Sequence, residues 1–466
     1  MNLFDDLKQY SNLPAIIISP SEEINYKTLI DITSRISLHI KQRDLFFLIC
    51  SNSLESIAGY LGALRANAVP VLLNKTIDKA FLAALITTYK PRYIFLPKTT
   101  SLQSIKGTEI FAYSNYKLFE TNYTSGHTLH SDLALLLTTS GSMGSRKLVR
   151  QSYNNLKSNA LSISQYLEIT QADRPITTLP MSYSYGLSII NSHLLTGATI
   201  LLTEATMMER SFWKMATTNG ATTFGGVPYT YEILNKLRFG DMNIPSLKYL
   251  TQAGGHLSRN ILDKFLDICT QKDMRFITMY GQTEATSRMS YLPWTFAHSK
   301  KGSIGLPIPG GCFHIEDDIG NAITEANVPG ELIFTGSNVT LGYAENLSDL
   351  EKGDENHGTL RTGDVAIRDS DGFYFITGRK TRFIKLYGHR LSLDELEQHI
   401  NASGNECACT GNDDHLRIYL TDLNVFETIR HDLVTRIRIN PAAFTLTHID
   451  KLPRTESGKI RYSALN

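Results

Sequence analysis

Short apolar runs alternate with amphipathic stretches along much of this chain, and this alternation limits the folds open to it. The early apolar runs are residues 15–18, 45–50, 69–73 and 93–96. Each is too short to cross a bilayer and suits a strand buried on both faces. Between the second and third runs, apolar residues at 54, 57, 58 and 61 predict a helix capped by Asn52 or Ser53. The pattern therefore predicts an α/β fold of mixed, mostly parallel sheets with helical crossovers.

The pattern of apolar runs and turns in the sequence changes after about Pro309. Up to there, further strand-like runs recur at 199–203, 249–254 and 276–280; beyond it, short β-like runs and Gly-Asp turns take over. The pair Asp371-Gly372 between apolar runs predicts a hairpin. With 466 residues, the chain exceeds the usual size of one domain. The organisation that we expect is a large domain at 1–379 with a β-rich subdomain at about 310–379, and a small mobile α+β C-terminal domain at 380–466 with a helix near 393–400.

Composition narrows the class of protein. The chain has 46 Lys and Arg residues against 45 Asp and Glu residues, a balance that argues against nucleic acid or an anionic membrane as the main partner. Its start lacks the basic and apolar regions of a secretion signal. The five cysteines are odd in number and scattered, which favours a reduced, cytoplasmic setting.

A glycine- and hydroxyl-rich segment at 137–147 predicts a polyphosphate site. Small residues let the backbone approach a bulky anion, hydroxyl and N–H groups bind its oxygens, and a basic pair offsets its charge. An ordinary polar loop is the alternative reading of this segment taken by itself. The candidate phosphate-binding residues here are Thr139, Ser140, Gly141, Ser142, Gly144 and Lys147.

This segment resembles the phosphate loop of the AMP-forming adenylating enzymes, which include acyl-CoA synthetases, luciferases and peptide-synthetase adenylation domains. It departs from the usual pattern at Met143, where a hydroxyl residue is common, and at Arg146, where proline is common. It does not fit the common nucleotide-triphosphatase loop, because Lys147 is followed by Leu148 rather than by Ser or Thr.

The run Tyr280-Gly281-Gln282-Thr283-Glu284 resembles the second core motif of the same family. The resemblance implies that Glu284 is a Mg²⁺ ligand, in keeping with the preference of this hard cation for oxygen. It also implies that Thr283 contacts the α-phosphate and that the other three residues lie at the ATP site. A strand-to-helix cap built on Thr283 is the structural alternative.

Further matches follow in the family's order. Residues 361–364 resemble the ribose clamp, in which Asp364 would accept hydrogen bonds from the ribose hydroxyls; a plain Gly-Asp turn is the alternative. Gly254 and Gly255 belong to a segment that resembles the adenine-side wall. Residues 330–343 resemble a motif that is mainly structural.

Gly378-Arg379 resembles the hinge that precedes the small domain, and Arg379 is the expected nucleotide contact there. Thr381 occupies the hinge position at which relatives usually carry Asp or Lys, so the equilibrium of domain rotation could differ. The resemblance continues into a region expected to meet a thiol acceptor, formed by Lys385, Gly388, His389 and Arg390.

The tail at 452–461 matches the family most closely. In relatives its lysine, Lys459 here, reaches the carboxylate and the α-phosphate during adenylation. The chemistry needs a cation, because a carboxylate attacking a polyphosphate brings two anions together and the transition state spreads charge over phosphate oxygens. A solvated basic end is the alternative reading of the tail.

The predicted acid pocket comprises Tyr183, Tyr185, Gly225 and Gly226. Tyr183 takes the place of the His or aromatic residue that stands at the mouth of this pocket in relatives. The Asp that pairs with the ammonium group in amino-acid-activating relatives is missing, which argues against an α-amino acid. The alternative is that both tyrosines are only core aromatics.

Together these motifs imply an enzyme that uses ATP and Mg²⁺ to convert a small carboxylic acid to an acyl-adenylate, with release of pyrophosphate. The acyl group would then pass to a thiol, either that of coenzyme A or the phosphopantetheine arm of a separate carrier protein. One alternative couples adenylation to amide or ester formation. A second is a non-catalytic nucleotide- or acyl-binding regulator on the same fold. No nucleic acid and no membrane span is expected.

Overall fold

The elements below come from a computed structural model. It describes residues 5–19, 21–100, 105–123, 128–138, 147–380, 382–386, 389–402, 404–412, 415–435, 437, 439–455 and 458–465. The α-helices in these ranges are α1 (Tyr26–Ser37), α2 (Leu54–Arg65), α3 (Lys79–Tyr89), α4 (Tyr153–Tyr166), α5 (Ser184–Leu195), α6 (Arg210–Thr218), α7 (Pro228–Lys236), α8 (Arg259–Gln271), α9 (Leu393–Ala402) and α10 (Phe426–Thr435).

Twenty-six strands lie in the same ranges, thirteen of them before residue 281 and thirteen after it. The first half holds β1 (Pro14–Ser19), β2 (Glu22–Asn25), β3 (Leu45–Cys50), β4 (Val69–Asn74), β5 (Tyr93–Pro97), β6 (Gly107–Tyr113), β7 (Tyr116–Thr121), β8 (Leu133–Thr138), β9 (Leu148–Ser152), β10 (Ile200–Leu201), β11 (Thr223–Gly226), β12 (Tyr249–Gln252) and β13 (Arg275–Tyr280). The second half holds β14 (Ser290–Tyr291), β15 (Leu306–Pro307), β16 (Gly311–Glu316), β17 (Ala322–Ile323), β18 (Gly330–Gly336), β19 (Gly342–Ala344), β20 (Thr359–Arg368), β21 (Tyr374–Arg379), β22 (Phe383–Leu386), β23 (His389–Ser392), β24 (Cys407–Asn412), β25 (His415–Leu420) and β26 (Phe444–His448).

The four early apolar runs become strands, as the sequence predicts. Three of them, β3, β4 and β5, lie side by side in an eight-stranded sheet of order β19-β9-β8-β4-β3-β5-β7-β6. The central strands run parallel and the outer ones antiparallel. The predicted helix between β3 and β4 is α2, and its cap is Ser53, whose side chain accepts a hydrogen bond from the N–H of Ser56.

A second sheet, of order β11-β12-β13-β14-β15, carries the candidate site at its edge. Strands β11, β12 and β13 are parallel and in register, so their carboxyl ends meet at one edge. Those ends are Gly226, Gln252 and Tyr280. Ligand sites in such sheets lie at this edge, and two of these residues begin or adjoin motifs identified in the sequence.

The region after Pro309 forms an antiparallel sheet of order β17-β16-β18-β20-β21. The predicted hairpin is present, because β20 and β21 pair antiparallel across the Asp371-Gly372 turn. Their register places Asp364 directly opposite Arg379. The last part of the chain adds the β22–β23 hairpin and the sheet β24-β25-β26, which pack with α9 and α10 around a separate apolar cluster. The predicted α/β class is confirmed.

Candidate active site

Asp364 is the centre of a hydrogen-bonded group that joins three strands. The hydroxyl of Tyr280, at the end of β13, donates to Oδ2 of Asp364. The side-chain amide of Gln282 donates to the same oxygen at 2.9 Å. Nε of Arg379, opposite Asp364 in the β20–β21 register, lies 2.9 Å from Oδ1. The Asp364 side chain is 4% exposed, so its orientation is fixed before a ligand arrives.

Glu284, the last residue of the motif at 280–284, is also held by a hydrogen bond. The Tyr343 hydroxyl, on β19, donates to Oε1 of Glu284 at 2.8 Å. The ring of Tyr343 also faces Lys147, whose Nζ lies 3.6 Å from the ring centroid. Tyr343 therefore connects the described end of the phosphate segment with the predicted metal ligand.

Thr283 directly precedes Glu284 in the motif at 280–284 and contacts the start of α5. Its Oγ1 shares a 3.1 Å hydrogen bond with Oγ of Ser184. Gly281, two residues earlier, has no room for a side chain, because a Cβ there would lie 1.8 Å from the carbonyl oxygen of Ser287. The motif thus turns tightly at the edge of the sheet, and this turn places Thr283 beside α5.

Lys459 reaches this site from the C-terminal tail. The tail folds back on itself: the N–H of Thr455 donates to the carbonyl of Lys459 at 2.8 Å, and the N–H of Lys459 donates to Oγ1 of Thr455 at 3.1 Å. Burial, followed by the positive charge of Arg379, lowers the pKa of Lys459, whereas Glu284 and Asp364 raise it. The lysine therefore lies within electrostatic range of all three groups.

Two residues of the tail bring Lys459 against the large domain. Gly458 has a φ of +78° and packs so closely that a Cβ there would lie 2.9 Å from Cγ2 of Val227. The Arg454 guanidinium lies 5.4 Å from the centroid of the Tyr229 ring and donates to the Gly458 carbonyl at 2.8 Å. Arg454 also pairs with Glu406 at 2.5 Å. Gly458 and Arg454 therefore both contact the large domain, at Val227 and Tyr229.

The predicted acid-pocket tyrosines lie next to this tail. Nζ of Lys459 is 5.9 Å from the ring centroid of Tyr183, and the Tyr183 and Tyr185 rings meet edge to face at 6.3 Å. The Tyr185 hydroxyl bonds to the carbonyl of Thr251 at 3.0 Å. A Cβ at Gly225 would lie 2.9 Å from that hydroxyl. Aromatic rings therefore fill the space between α5 and the parallel strands.

Three predicted glycines pack against neighbouring elements. A Cβ at Gly226 would meet Thr230 and Tyr231 of α7, so Gly226 faces the side of the sheet opposite Gly225. A Cβ at Gly254 would lie 2.8 Å from the Tyr183 hydroxyl, which places Gly254 against the acid-pocket aromatics. Gly255 adjoins Pro228 and accepts a hydrogen bond from the Gln252 side chain at 2.8 Å.

Several predicted residues lie outside the described part of the chain. Lys385, His389 and Arg390 belong to the β22–β23 hairpin, in which Lys385 pairs with Arg390, but their side chains are not described. Of the residues singled out in the sequence, those outside the described ranges are Thr139, Ser140, Gly141, Ser142, Gly144 and Gly388, together with Met143, Arg146 and Thr381.

Three residues of this site are not among those predicted from the sequence. Tyr343 belongs to a segment whose resemblance is mainly structural, although an aromatic residue in a glycine-containing motif is a usable signal. Arg454 belongs to the tail pattern, which gives it no role of its own. Arg288, four residues after Glu284, is 2% exposed and its guanidinium lies 4.7 Å from the centroid of the Tyr185 ring. Its neighbours Thr286, Ser287 and Ser290 are polar, so the sequence carries no clear signal for a buried arginine here.

The site offers few protein ligands for a metal. Among the described residues there is no group of three or more His, Cys, Asp or Glu side chains that could hold an ion. Glu284 suits Mg²⁺, which is commonly bound by one or two carboxylates together with the oxygens of a polyphosphate. Its carboxylate is oriented by Tyr343, and no Lys or Arg of the described residues forms an ion pair with it.

Comparison with known proteins agrees with this geometry. Residues 3–344 match the family described as AMP-binding enzyme. The chain belongs to this family. Among curated proteins it is 26% identical to a 2-succinylbenzoate–CoA ligase of Listeria monocytogenes, over 92% of this chain and 90% of the relative. It is 24% identical to an oxalate–CoA ligase of Saccharomyces cerevisiae, over 90% of this chain and 86% of the relative.

A solved structure has the same fold. The o-succinylbenzoate CoA synthetase of Bacillus subtilis, in complex with an acyl-adenylate intermediate, superimposes with a TM-score of 0.82 at 21% identity and covers 100% of this chain and 98% of its own. The predicted superfamily and the predicted class, an AMP-forming, acyl-CoA synthetase-like ligase, are confirmed. The same Bacillus subtilis enzyme has also been solved in complex with ATP and magnesium ion. In the part of the chain that is described, no helix is long and apolar enough to cross a membrane.

Proposed function

We propose that this enzyme activates a short carboxylic acid and passes the acyl group to the thiol of coenzyme A. In the first step, a carboxylate oxygen of the acid attacks the α-phosphorus of ATP, the bond to the β-phosphate oxygen breaks, and pyrophosphate leaves. In the second step, the thiol sulfur attacks the acyl carbon, the acyl C–O bond breaks, AMP leaves and the thiol proton passes to solvent.

The position of Lys459 is the single observation that carries this proposal. Its ammonium group lies beside the Tyr183 ring and within electrostatic range of Glu284 and Asp364. A cation at this point lowers the repulsion between the attacking carboxylate and the phosphates, and it stabilises charge that grows on the phosphate oxygens. Nucleotide binding alone does not require such a lysine.

The nucleotide contacts follow from the same geometry. Asp364 would accept hydrogen bonds from the ribose hydroxyls, while Tyr280, Gln282 and Arg379 fix its carboxylate. Thr283 would contact the α-phosphate, and Lys147 with residues 139–144 would hold the β- and γ-phosphates. The main contribution to catalysis is then positioning and charge stabilisation, with no covalent enzyme intermediate.

Glu284 would hold Mg²⁺ together with the phosphate oxygens. When bound, the ion supplies positive charge to the phosphates at the point where the pyrophosphate leaves. Tyr343 keeps the Glu284 carboxylate oriented for this purpose through its 2.8 Å hydrogen bond.

The choice of coenzyme A as acceptor rests on the relatives. Two of the most similar curated proteins are named as CoA ligases, although for different acids. We favour coenzyme A over a carrier protein for this reason. The region of Lys385, Gly388, His389 and Arg390 would adjoin the path of the thiol.

The two steps would be separated by rotation of a small domain about residue 381. On one side of this residue, Lys380 pairs with Glu331 at 3.0 Å in the β-rich sheet. On the other side, Arg382 pairs with Glu397 at 2.8 Å and with Asp394, both on α9. Lys380 thus pairs with the β-rich sheet and Arg382 with α9, and this change of ion-pair partner supports a domain boundary near residue 381. Rotation would withdraw Lys459 and admit the thiol.

A comparison of the half-reactions tests this function. Lys459→Ala should lower acid-dependent pyrophosphate release by about 100-fold or more. It should leave thioester formation from preformed acyl-adenylate close to the wild-type rate. Lys451→Ala, which removes an exposed lysine directly before the tail, is the matched control and should leave both rates unchanged.

The outcomes separate the alternatives. An equal fall in both half-reactions of Lys459→Ala would contradict the assigned role. Acid-dependent pyrophosphate release that yields no thioester with either coenzyme A or a phosphopantetheinylated carrier protein would instead favour an amide- or ester-forming enzyme. The absence of pyrophosphate release with every acid tested would favour a nucleotide-binding regulator.

A further inference from the structure

Arg288 is a buried cation beside Tyr185, one of the predicted acid-pocket residues. Its backbone carbonyl accepts hydrogen bonds from the side chains of Asn159 and Asn338 at 2.9 and 3.0 Å, which fix the start of the side chain. The guanidinium then lies against the Tyr185 ring, on the side of α5 that faces the parallel strands. With 2% of the residue exposed, water does not stabilise its charge.

The partners of this guanidinium are neutral. Nη1 lies 3.1 Å from the hydroxyl oxygen of Tyr166 and 2.8 Å from the sulfur of Met279. Nε makes no hydrogen bond. Within the described ranges, no Asp or Glu carboxylate forms an ion pair with Arg288. A thioether and a phenol are weak acceptors for a cation, so a buried charge is left largely uncompensated.

Arg150 shows what a buried arginine with a structural role looks like in the same chain. Its side chain is 0% exposed, and Nη2 pairs with Glu355 at 2.5 Å. Nε and Nη2 also donate to the carbonyls of Tyr343 and Leu341 at 3.0 and 2.8 Å. Arg150 is therefore fully compensated by the protein, whereas Arg288 is not.

Neighbouring groups do not neutralise Arg288 either. His193 on α5 donates from Nδ1 to the carbonyl of Ile189 at 2.8 Å, and its buried Nε2 has no partner. Burial lowers the pKa of His193 to about 4, so the ring is neutral. The Asp173 carboxylate interacts electrostatically with His193, but it already forms an ion pair with Lys248 at 3.0 Å. The region of Arg288 thus holds an uncompensated cation and a further unpartnered polar atom.

We propose that Arg288 forms a subsite for a second carboxylate of the acid, so that this enzyme activates a short dicarboxylic acid. The proposal rests on the function proposed above, because it uses the acid pocket assigned there. One carboxylate would lie at Lys459 and react, and the other would pair with the guanidinium beyond the two tyrosine rings. A carboxylate and a guanidinium form paired, charge-assisted hydrogen bonds, which would include the free Nε. Access requires the Tyr183 and Tyr185 rings to part, a side-chain movement that commonly accompanies binding.

The length of the acid is limited by the same residues. Tyr185 is anchored to Thr251 and abuts Gly225, and Tyr183 abuts Gly254. A long chain would have to displace all of these contacts. A short linker between the two carboxylates displaces fewer of them, because it needs only the two tyrosine rings to part.

Pairs of acids that differ only in the second carboxylate provide the test. We would measure kcat/KM for acid-dependent pyrophosphate release with succinate against butyrate and with glutarate against valerate. The expected preference of the wild type for the dicarboxylate is about 30-fold or more, the lower end of the effect of removing one partner from a buried charge pair. Arg288→Met should abolish this preference, mainly through KM, and retain activity with the monocarboxylates. Arg288→Lys should restore part of it.

Controls distinguish this role from a structural one. Arg275→Met, on β13, removes an arginine that pairs with Glu168 at 2.7 Å and should leave the preference intact. Equal losses for both acids in Arg288→Met, or a wild type without a preference, would overturn the subsite while leaving the proposed function standing. If no acid supports pyrophosphate release, the proposed function fails. Calorimetric binding of succinate and butyrate to wild type and Arg288→Met then decides the subsite directly: binding of succinate that depends on Arg288 supports it, and equal or absent binding overturns it.

Discussion

Tyr343 donates a hydrogen bond from its hydroxyl to Oε1 of Glu284 at 2.8 Å. The same tyrosine offers its ring to Nζ of Lys147 at 3.6 Å. Tyr343 lies on β19, an edge strand of the eight-stranded sheet. It therefore contacts both Glu284, the proposed metal ligand, and Lys147, at the end of the segment at 137–147. The phenol has two separable roles, since the hydroxyl serves Glu284 and the ring serves Lys147.

Tyr343→Phe tests the first of these roles. The variant keeps the ring for Lys147 but leaves Glu284 without its donor. We expect the Mg²⁺ concentration for half-maximal pyrophosphate release to rise by about tenfold, the usual effect of losing a hydrogen bond to a charged group. Tyr343→Leu should also raise the KM for ATP, because it removes the cation–π contact as well. An unchanged Mg²⁺ dependence in Tyr343→Phe would show that the hydroxyl does not orient the ligand.

The docking of the tail depends on Gly458. Alanine there would face both the strain of a positive φ and a clash with Val227. We expect Gly458→Ala to lower acid-dependent pyrophosphate release by about tenfold or more while sparing thioester formation from preformed adenylate.

Gly404→Ala is the matched control for this variant. Gly404 has a φ of +85°, but a Cβ there would meet nothing within 4 Å. The control should therefore lose stability in thermal unfolding without a selective effect on adenylation. If both variants slowed the two half-reactions equally, close approach of Gly458 to the large domain would not be needed for catalysis.

The buried position of Lys459 predicts a pH dependence. Burial lowers the pKa of this lysine, and only its protonated form offsets the charge of the reacting anions. The kcat/KM for adenylation should therefore be constant at low pH and fall as the pH rises through a value below that of an ordinary lysine. Lys459→Arg should be slower but should lack this alkaline fall, because arginine stays protonated. An identical alkaline fall in both enzymes would assign it to another group.

Much of the fold could be predicted from the sequence because its strands are short, apolar and separated by clear helical periodicity. The runs that became β3, β4 and β5 need no long-range information to be recognised. Within the site, the motif residues Glu284 and Asp364 could be named from their resemblance to known motifs, and the structure brings both of them near Lys459. Their roles in catalysis stay predictions.

Other features depend on packing between elements that are distant in sequence. The alternation of a strand puts Gly225 and Gly226 on opposite faces, but the sequence does not reveal which face meets α5. The contact of Tyr343 with Glu284 spans two sheets, and the isolation of Arg288 is visible only once every neighbouring side chain is placed. The boundary at 379–380 likewise stays a prediction, although the change of ion-pair partners from Lys380 to Arg382 supports it.

Tyr183 provides the last prediction, which concerns the choice of acid. Its ring lies between Lys459 and Tyr185, and its hydroxyl occupies the space that a side chain at Gly254 would take. Tyr183→Ala should therefore enlarge the mouth of the acid pocket. We expect kcat/KM to fall by about tenfold for short acids, because the Tyr183 ring no longer packs against them. The ratio of kcat/KM for bulkier acids to that for short acids should rise.

The measurement is pyrophosphate release across acids of increasing length and branching. Tyr113→Ala, which removes a half-buried tyrosine from the end of β6, should leave the order of preference unchanged. Tyr183→Phe should keep the wild-type order, since the ring rather than the hydroxyl fills the space beside Lys459. A Tyr183→Ala enzyme with wild-type rates and preferences would show that the acid binds elsewhere, because no acid that reaches Lys459 through this pocket can avoid the Tyr183 ring.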